Sequence, residues 1–212
     1  MKKLLLTLVF VGISVSSFAQ TYGSRWRIAL DGGYSRRLSL LSPDIDEFTK
    51  SHLKKLLGGL NAGLEATYFV APNLGIGLKA YDFRASNEEY ATATFDDGTQ
   101  ETGYLKETVD IAFAGPIATY RGYDREGNNA FILSYGYGLA FWQDNASFVD
   151  ENSTLKGVST ASYVFLGYDF RITEKFAAGV GISAMAGSVK IDEDTTEGLL
   201  HANLTLGLRL NL

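Results

Sequence analysis

The chain of 212 residues has no cysteine, which excludes disulfides, thiolate nucleophiles and zinc sites of the cysteine type. It has only 2 histidines, His52 and His201, so a histidine triad or a multi-histidine metal centre has little to draw on. Proline is also scarce, at 3 residues. After the first twenty residues no run approaches the ~18 apolar residues that a membrane-crossing helix requires. Nor is there a basic excess: Lys and Arg together number 19 against 24 acids. Phosphate backbones attract basic surfaces, so nucleic acid is excluded as a partner.

What is present begins at the amino terminus. Lys2 and Lys3 precede the apolar stretch "LLLTLVFVGISV", and Ser17 and Ala19 of "SFA" stand where a signal peptidase reads small residues. This predicts a secretory signal peptide over 1–19, cleaved before Gln20. Its core falls short of the ~20 residues of a membrane anchor. Without Lys2 and Lys3 the mature chain, 20–212, carries 17 basic against 24 acidic residues, a net charge of −7. Its length suits one domain, and no linker or low-complexity tract divides it.

The mature chain alternates. Its last stretch, "LLHANLTLGLRLNL", sets Leu200, Ala202, Leu204, Leu206, Leu208, Leu210 and Leu212 against His201, Asn203, Thr205, Gly207, Arg209 and Asn211. Period two of this kind is a strand with different surroundings on its two faces. "WRIALDGGY" repeats it with Trp26, Ile28 and Leu30 against Arg27, Ala29 and Asp31, and "LNAGLEATYFV" with Leu60, Ala62 and Leu64 against Asn61, Gly63 and Glu65. "LGIGLKAY" opposes Ile76 and Leu78 to Gly77 and Lys79, and "VDIAFAGPI" opposes Val109, Ile111, Phe113 and Ile117 to Asp110, Ala112 and Ala114. "FILSYGYGLAF", "SYVFLGYDFR" and "FAAGVGISAMAG" bring the count to eight. Short links follow the second, fourth and sixth strands, and longer polar segments follow the odd ones, as in an antiparallel transmembrane barrel.

A soluble barrel alternates too, with its apolar rows inside. Here the polar rows carry isolated charges of both signs among glycines: Arg27, Asp31, Glu65, Lys79, Asp110, Asp169, Arg171 and Arg209. That is sparse for a wet outer surface and suits the narrow lumen of eight strands. The expected fold is therefore all-β, an eight-stranded antiparallel up-and-down transmembrane β-barrel with its apolar rows, including that of Val109, outward. The eight charges are expected to pair across the lumen, because an unpaired buried charge is costly. Glu65 is expected between Arg27 and Arg209.

A signal peptide, eight alternating strands and the final "TLGLRLNL" resemble the small outer-membrane β-barrel family of the OmpX and OmpA transmembrane-domain type. The terminal Leu212 departs from the Phe of many members. The resemblance implies residence in the outer membrane of a Gram-negative-type bacterium, contact with its lipids and lipopolysaccharide, and recognition of Thr205–Leu212 by the barrel-assembly machinery. It says little of activity; the lumen charges and the small bore favour a plugged barrel, expected as a monomer with a structural, surface-display or interaction role. The alternative is a porin-like passive channel.

Neither enzymatic chemistry nor a cofactor is indicated. His201 reads as a polar plug residue and His52 as a lone surface histidine. In the first outer loop Ser42 is placed to cap a helix starting at Pro43 and ending at Gly58 and Gly59. "DDG" between alternating Thr and aromatic residues signals a hairpin that carries the third and fourth strands beyond the membrane. The acids Asp144, Asp150, Glu151, Asp192, Glu193, Asp194 and Glu197 read as solvated rim residues; no loop has EF-hand spacing.

Overall fold

The computed structural model describes residues 24–38, 45–94, 98–149, 151–191 and 196–212. The leader expected at 1–19 lies outside them, as do Ser42, Pro43, Asp44, Asp150, Asp192, Glu193 and Asp194. The described elements are β1 (Trp26–Arg37), α1 (Glu47–Leu56), β2 (Gly58–Ala71), β3 (Leu74–Thr94), β4 (Gln100–Tyr123), β5 (Ala130–Phe148), β6 (Glu151–Arg171), β7 (Phe176–Lys190), β8 (Thr196–Gly198) and β9 (His201–Asn211).

Strands β1 to β7 pair antiparallel in sequence order, and β9 pairs with both β7 and β1. Eight strands thus close into a ring, and short β8 adds only to the outer end of β7. Closure runs to the last residue: Trp26 N donates to Leu212 O at 2.8 Å and Leu212 N to Trp26 O at 2.9 Å. A closed sheet leaves no open edge along its common height.

The alternation sorts as the two-faced pattern requires on seven of the eight strands. Trp26, Leu30, Leu64, Ile76, Leu78, Leu133, Leu139, Leu204, Leu206 and Leu208 stand exposed on the outer wall, Leu78 at 66% and Leu206 at 65%. Strand β4 is the correction. Val109, Ile111, Phe113 and Ile117 point inward and are buried, whereas Asp110, Ala112 and Ala114 lie on the outer side. Both rows of β4 are largely apolar, so alternation alone does not say which faces in. The bulkier row turns inward because β4 borders the apolar half of the interior. That core is walled by β3 to β7 and includes Tyr81, Phe83, Ile132, Trp142, Tyr163, Phe165 and Met185.

The two ends of the barrel differ. Short turns join β2 to β3, β4 to β5 and β6 to β7 at one mouth. At the other, the β3–β4 ladder continues to Thr94↔Gln100 although β2–β3 pairing stops at Leu60↔Arg84. Residues 151–160 of β6 likewise pair with β5 alone, since the β6–β7 ladder starts at Ala161↔Gly187. The outer ends of β3 to β6 therefore rise as a wall on one side, extending the strands on either side of "DDG" as the sequence pattern predicts.

Helix α1 packs against this wall at β3, with further contacts to β2 and β4. It starts later than Pro43: Asp46 is the N-cap, its carboxylate accepting from Thr49 N at 3.0 Å. That hydrogen bond holds the Asp46 carboxyl below the usual aspartate range. Glu47 in the first turn and Lys54 and Lys55 in the last both favour the helix dipole.

Candidate functional site

Six of the eight predicted lumen charges converge inside the barrel. Arg27 on β1 donates from Nη1 to Glu65 Oε1 of β2 at 2.5 Å and from Nε to Asp169 Oδ2 of β6 at 2.8 Å. Arg209 on β9 donates from Nε to Asp169 Oδ1 at 3.0 Å, and its Nη1 lies 2.7 Å from Asp31 Oδ1. Lys79 on β3 donates to Asp31 Oδ2 at 2.9 Å. The order is Glu65, Arg27, Asp169, Arg209, Asp31, Lys79: a single file of alternating charge with no net excess. Arg27 and Arg209 are each only 1% exposed. Buried charges persist when geometry and added hydrogen bonds offset their desolvation; Thr67 Oγ1 also donates to Glu65 at 3.1 Å.

Small residues make the room. A Cβ on Gly207 would meet Arg209 Nη1 at 2.6 Å and Asp31 Oδ1 at 2.7 Å, and one on Gly179 would meet the Arg209 guanidinium. Gly179 and Gly207 thus leave clearance for the long Arg209 side chain in a narrow bore.

Three expectations need correcting. The acid between Arg27 and Arg209 is Asp169, not Glu65, because β6 reaches them from across the lumen while Glu65 meets Arg27 alone. Asp110 sits on the outer side of β4, where it pairs with Arg84 at 2.5 Å. Arg171 is exposed at the short-turn mouth, below the interior, with its side chain 3.5 Å from Asn128 Oδ1.

Above the charges, Ser35, Asn61, Tyr81 and Asn203 form a hydrogen-bonded layer, with Tyr81 Oη donating to Asn203 Oδ1 at 2.7 Å and Asn61 Nδ2 to Ser35 Oγ at 2.8 Å. His201 stacks on Tyr81 and Phe83 with ring centroids 5.4 and 5.7 Å apart, fully buried. It lines the bore as its polar row predicts.

His52 is neither lone nor on the surface. It is 3% exposed, with Nδ1 2.7 Å from Glu89 Oε1 and Nε2 3.0 Å from Glu107 Oε2, tying α1 to β3 and β4. Lys55 donates to Glu89 at 2.5 Å, and this bond, with help from His52, holds the Glu89 carboxyl below its ordinary range. Asp144, above the apolar belt that ends on β5 at Phe141, is pushed up to about 7 by burial and then by the Glu107 charge. Arg37 pairs with Glu197 beside it. Asp144 and Glu197 are therefore not freely solvated acids. No sequence signal joins His52 to partners 37 and 55 positions away.

Arg121 was also hidden, as the first residue of "RGYDREGNN", the short link expected after the fourth strand. It continues the inward row of Ile117 and Thr119, is 3% exposed, and lies with its guanidinium carbon 3.6 Å from the Phe69 ring centre. Among the described residues no group of His, Asp and Glu is arranged to hold a metal ion.

No protein-family model matches the sequence, and no curated protein matches it. Solved structures do. Neisserial surface protein A has 14% identity and a TM-score of 0.56, covering 91% of this chain and 100% of its own. The attachment invasion locus protein Ail of Yersinia pestis, in complex with the heparin analogue sucrose octasulfate, has 10% identity and a TM-score of 0.52, covering 89% of this chain and 99% of its own. At these identities the likeness is one of fold: the chain has the fold of small outer-membrane β-barrels.

Proposed function

We propose that the protein is an integral outer-membrane β-barrel of a Gram-negative-type bacterium, a plugged anchor with a structural or surface-interaction role. The observation that carries this reading is the filled bore: the six-charge file and the apolar core together occupy it. The belt of exposed leucines and aromatics suits lipid, which a closed sheet can cross with its backbone groups satisfied. The long-strand mouth, with α1 and the raised ends of β3 to β6, is then the outer face. There it meets lipopolysaccharide and displays a surface for partners. The likeness in fold to Ail, the attachment invasion locus protein, supports a surface role by analogy.

In this reading the chain is exported by its 1–19 leader, domain 20–212 is inserted by the barrel-assembly machinery through Thr205–Leu212, and the product is a monomer without enzymatic activity. Planar-bilayer recording tests the function. Purified protein is expected to give no steady ion steps, and reproducible porin-sized steps would replace the anchor with the passive channel. Recovery of the folded protein in the periplasmic fraction would overturn the location.

A further inference from the structure

Helix α1 docks on the inner face of the raised wall. Asn87 and Glu89 continue the inward row of Tyr81, Phe83 and Ala85 on β3, and Glu107 continues that of Val109 and Ile111 on β4. The helix buries His52 and Leu56, one turn apart, and leaves Glu47, Phe48, Ser51, Lys54 and Lys55 exposed. It therefore lies over the outer end of the bore, and one buried polar side chain, His52, fastens it there.

The two ring nitrogens of His52 face two carboxylates, Nδ1 at 2.7 Å from Glu89 Oε1 and Nε2 at 3.0 Å from Glu107 Oε2. A neutral imidazole has a single N–H, so it donates to one carboxylate and sets a lone pair against the other. Only the imidazolium donates to both. Asn87, 2.9 Å from Nδ1, offers either an oxygen or an N–H and suits both charge states. Glu89 does not supply a missing proton, because its bond to Lys55 holds its carboxyl low. Both carboxylates are largely shielded from water, so a mismatched contact is poorly screened.

We propose that α1 is a lid over the outer mouth, latched by the His52 imidazolium and released as the pH rises and that ring loses its second proton. Docking is linked to that proton, complete in acid and lost toward alkaline pH. Half-exposed Lys55 makes the only other ion pair of α1 with the wall among the described residues, and a surface pair of this kind holds little by itself. Asp144 on β5, beyond Glu107, is pushed up to about 7 by burial and then by the Glu107 charge, and Arg37 and Glu197 face it. It is the rival sensor that the test must separate from His52.

The chain has no cysteine, so Ser51→Cys on the exposed face of α1 gives a single site for a nitroxide label. The electron paramagnetic resonance line shape of the labelled mature protein in lipid vesicles is followed from about pH 5.5 to about pH 9. A slow component is expected in acid and a fast one in alkali, their ratio changing by up to about tenfold per pH unit, the limit for one proton. His52→Gln should remove the pH dependence. Glu107→Gln puts an amide against Nε2 that accepts from it or donates to it, and should keep the label slow throughout. Asp144→Asn should leave the release in place. A line shape in the labelled parent that is constant with pH overturns the proposal, as does a response that survives His52→Gln or is abolished by Asp144→Asn. If His52→Gln does not fold, Glu107→Gln decides: release in alkali like that of the parent overturns the latch.

Discussion

Asp169→Asn is the sharpest probe of the charge file. The carboxylate is 7% exposed and bonds two arginines at 2.8 and 3.0 Å. Removing its charge divides the file into a neutral Glu65–Arg27 pair and an Arg209–Asp31–Lys79 triplet of net +1. Leaving one buried charge uncompensated typically costs about 3–5 kcal/mol, and that loss of unfolding free energy is expected here. Arg209→Gln alone leaves the opposite excess, a net −1 on Glu65–Arg27–Asp169, at similar cost. The double variant leaves two neutral pairs, Glu65–Arg27 and Asp31–Lys79. It should be no less stable than either single variant, a coupling of several kcal/mol. Urea unfolding in lipid vesicles, followed by tryptophan fluorescence and by the gel shift between folded and unfolded forms, measures all three. If the two losses simply add, the residues are not energetically one unit and the account of the plug fails.

Asp144 binds its proton more tightly folded than unfolded, so the unfolded state releases it first as pH rises and stability should fall between about pH 4 and about 7. Asp144→Asn should therefore melt higher than wild type at pH 8 and equally at pH 3.5; Glu107, Arg37 and Glu197 face the same site and stay in place. Gly207→Ala forces a methyl against the Leu30 carbonyl of β1 as well as against Arg209 and Asp31, and a loss of about 1–3 kcal/mol in the same unfolding assay is expected. Leu206→Arg puts a charge on the outer belt and should cost about 2–4 kcal/mol in vesicles if that belt faces the middle of a bilayer; an unchanged midpoint would remove lipid from that face.

Strand number, order and closure were legible because a polar row opposite a leucine row has only one sensible arrangement. Leu204, Leu206 and Leu208 against Asn203, Thr205 and Arg209 is the plainest case. The pattern failed on β4, whose two rows are Phe113 with its neighbours and a line of alanines: period two gives the alternation but not its sense. Pairing inside the bore was legible only as a need for opposite charges. That Asp169 rather than Glu65 bridges the arginines depends on the distance across the lumen, which alternation along a strand does not encode. The His52 cluster was hidden for a related reason, since it depends on how a loop helix docks on two strand extensions far away in sequence.

The position of Asp169 bears on assembly. Strands β1 and β9 meet only when the sheet has curled fully round, and their seam could in principle zip in a shifted register. Arg27 and Arg209 come from the two sides of that seam, and the acid that holds both comes from β6, separated from β9 by β7. Sliding β9 by two residues along β1 would keep every leucine outside. It would move Arg209 by roughly 7 Å, beyond reach of Asp169. The charge file thus acts as a proofreader: alternation rejects odd slips by turning leucines inward, and Asp169 rejects the even ones.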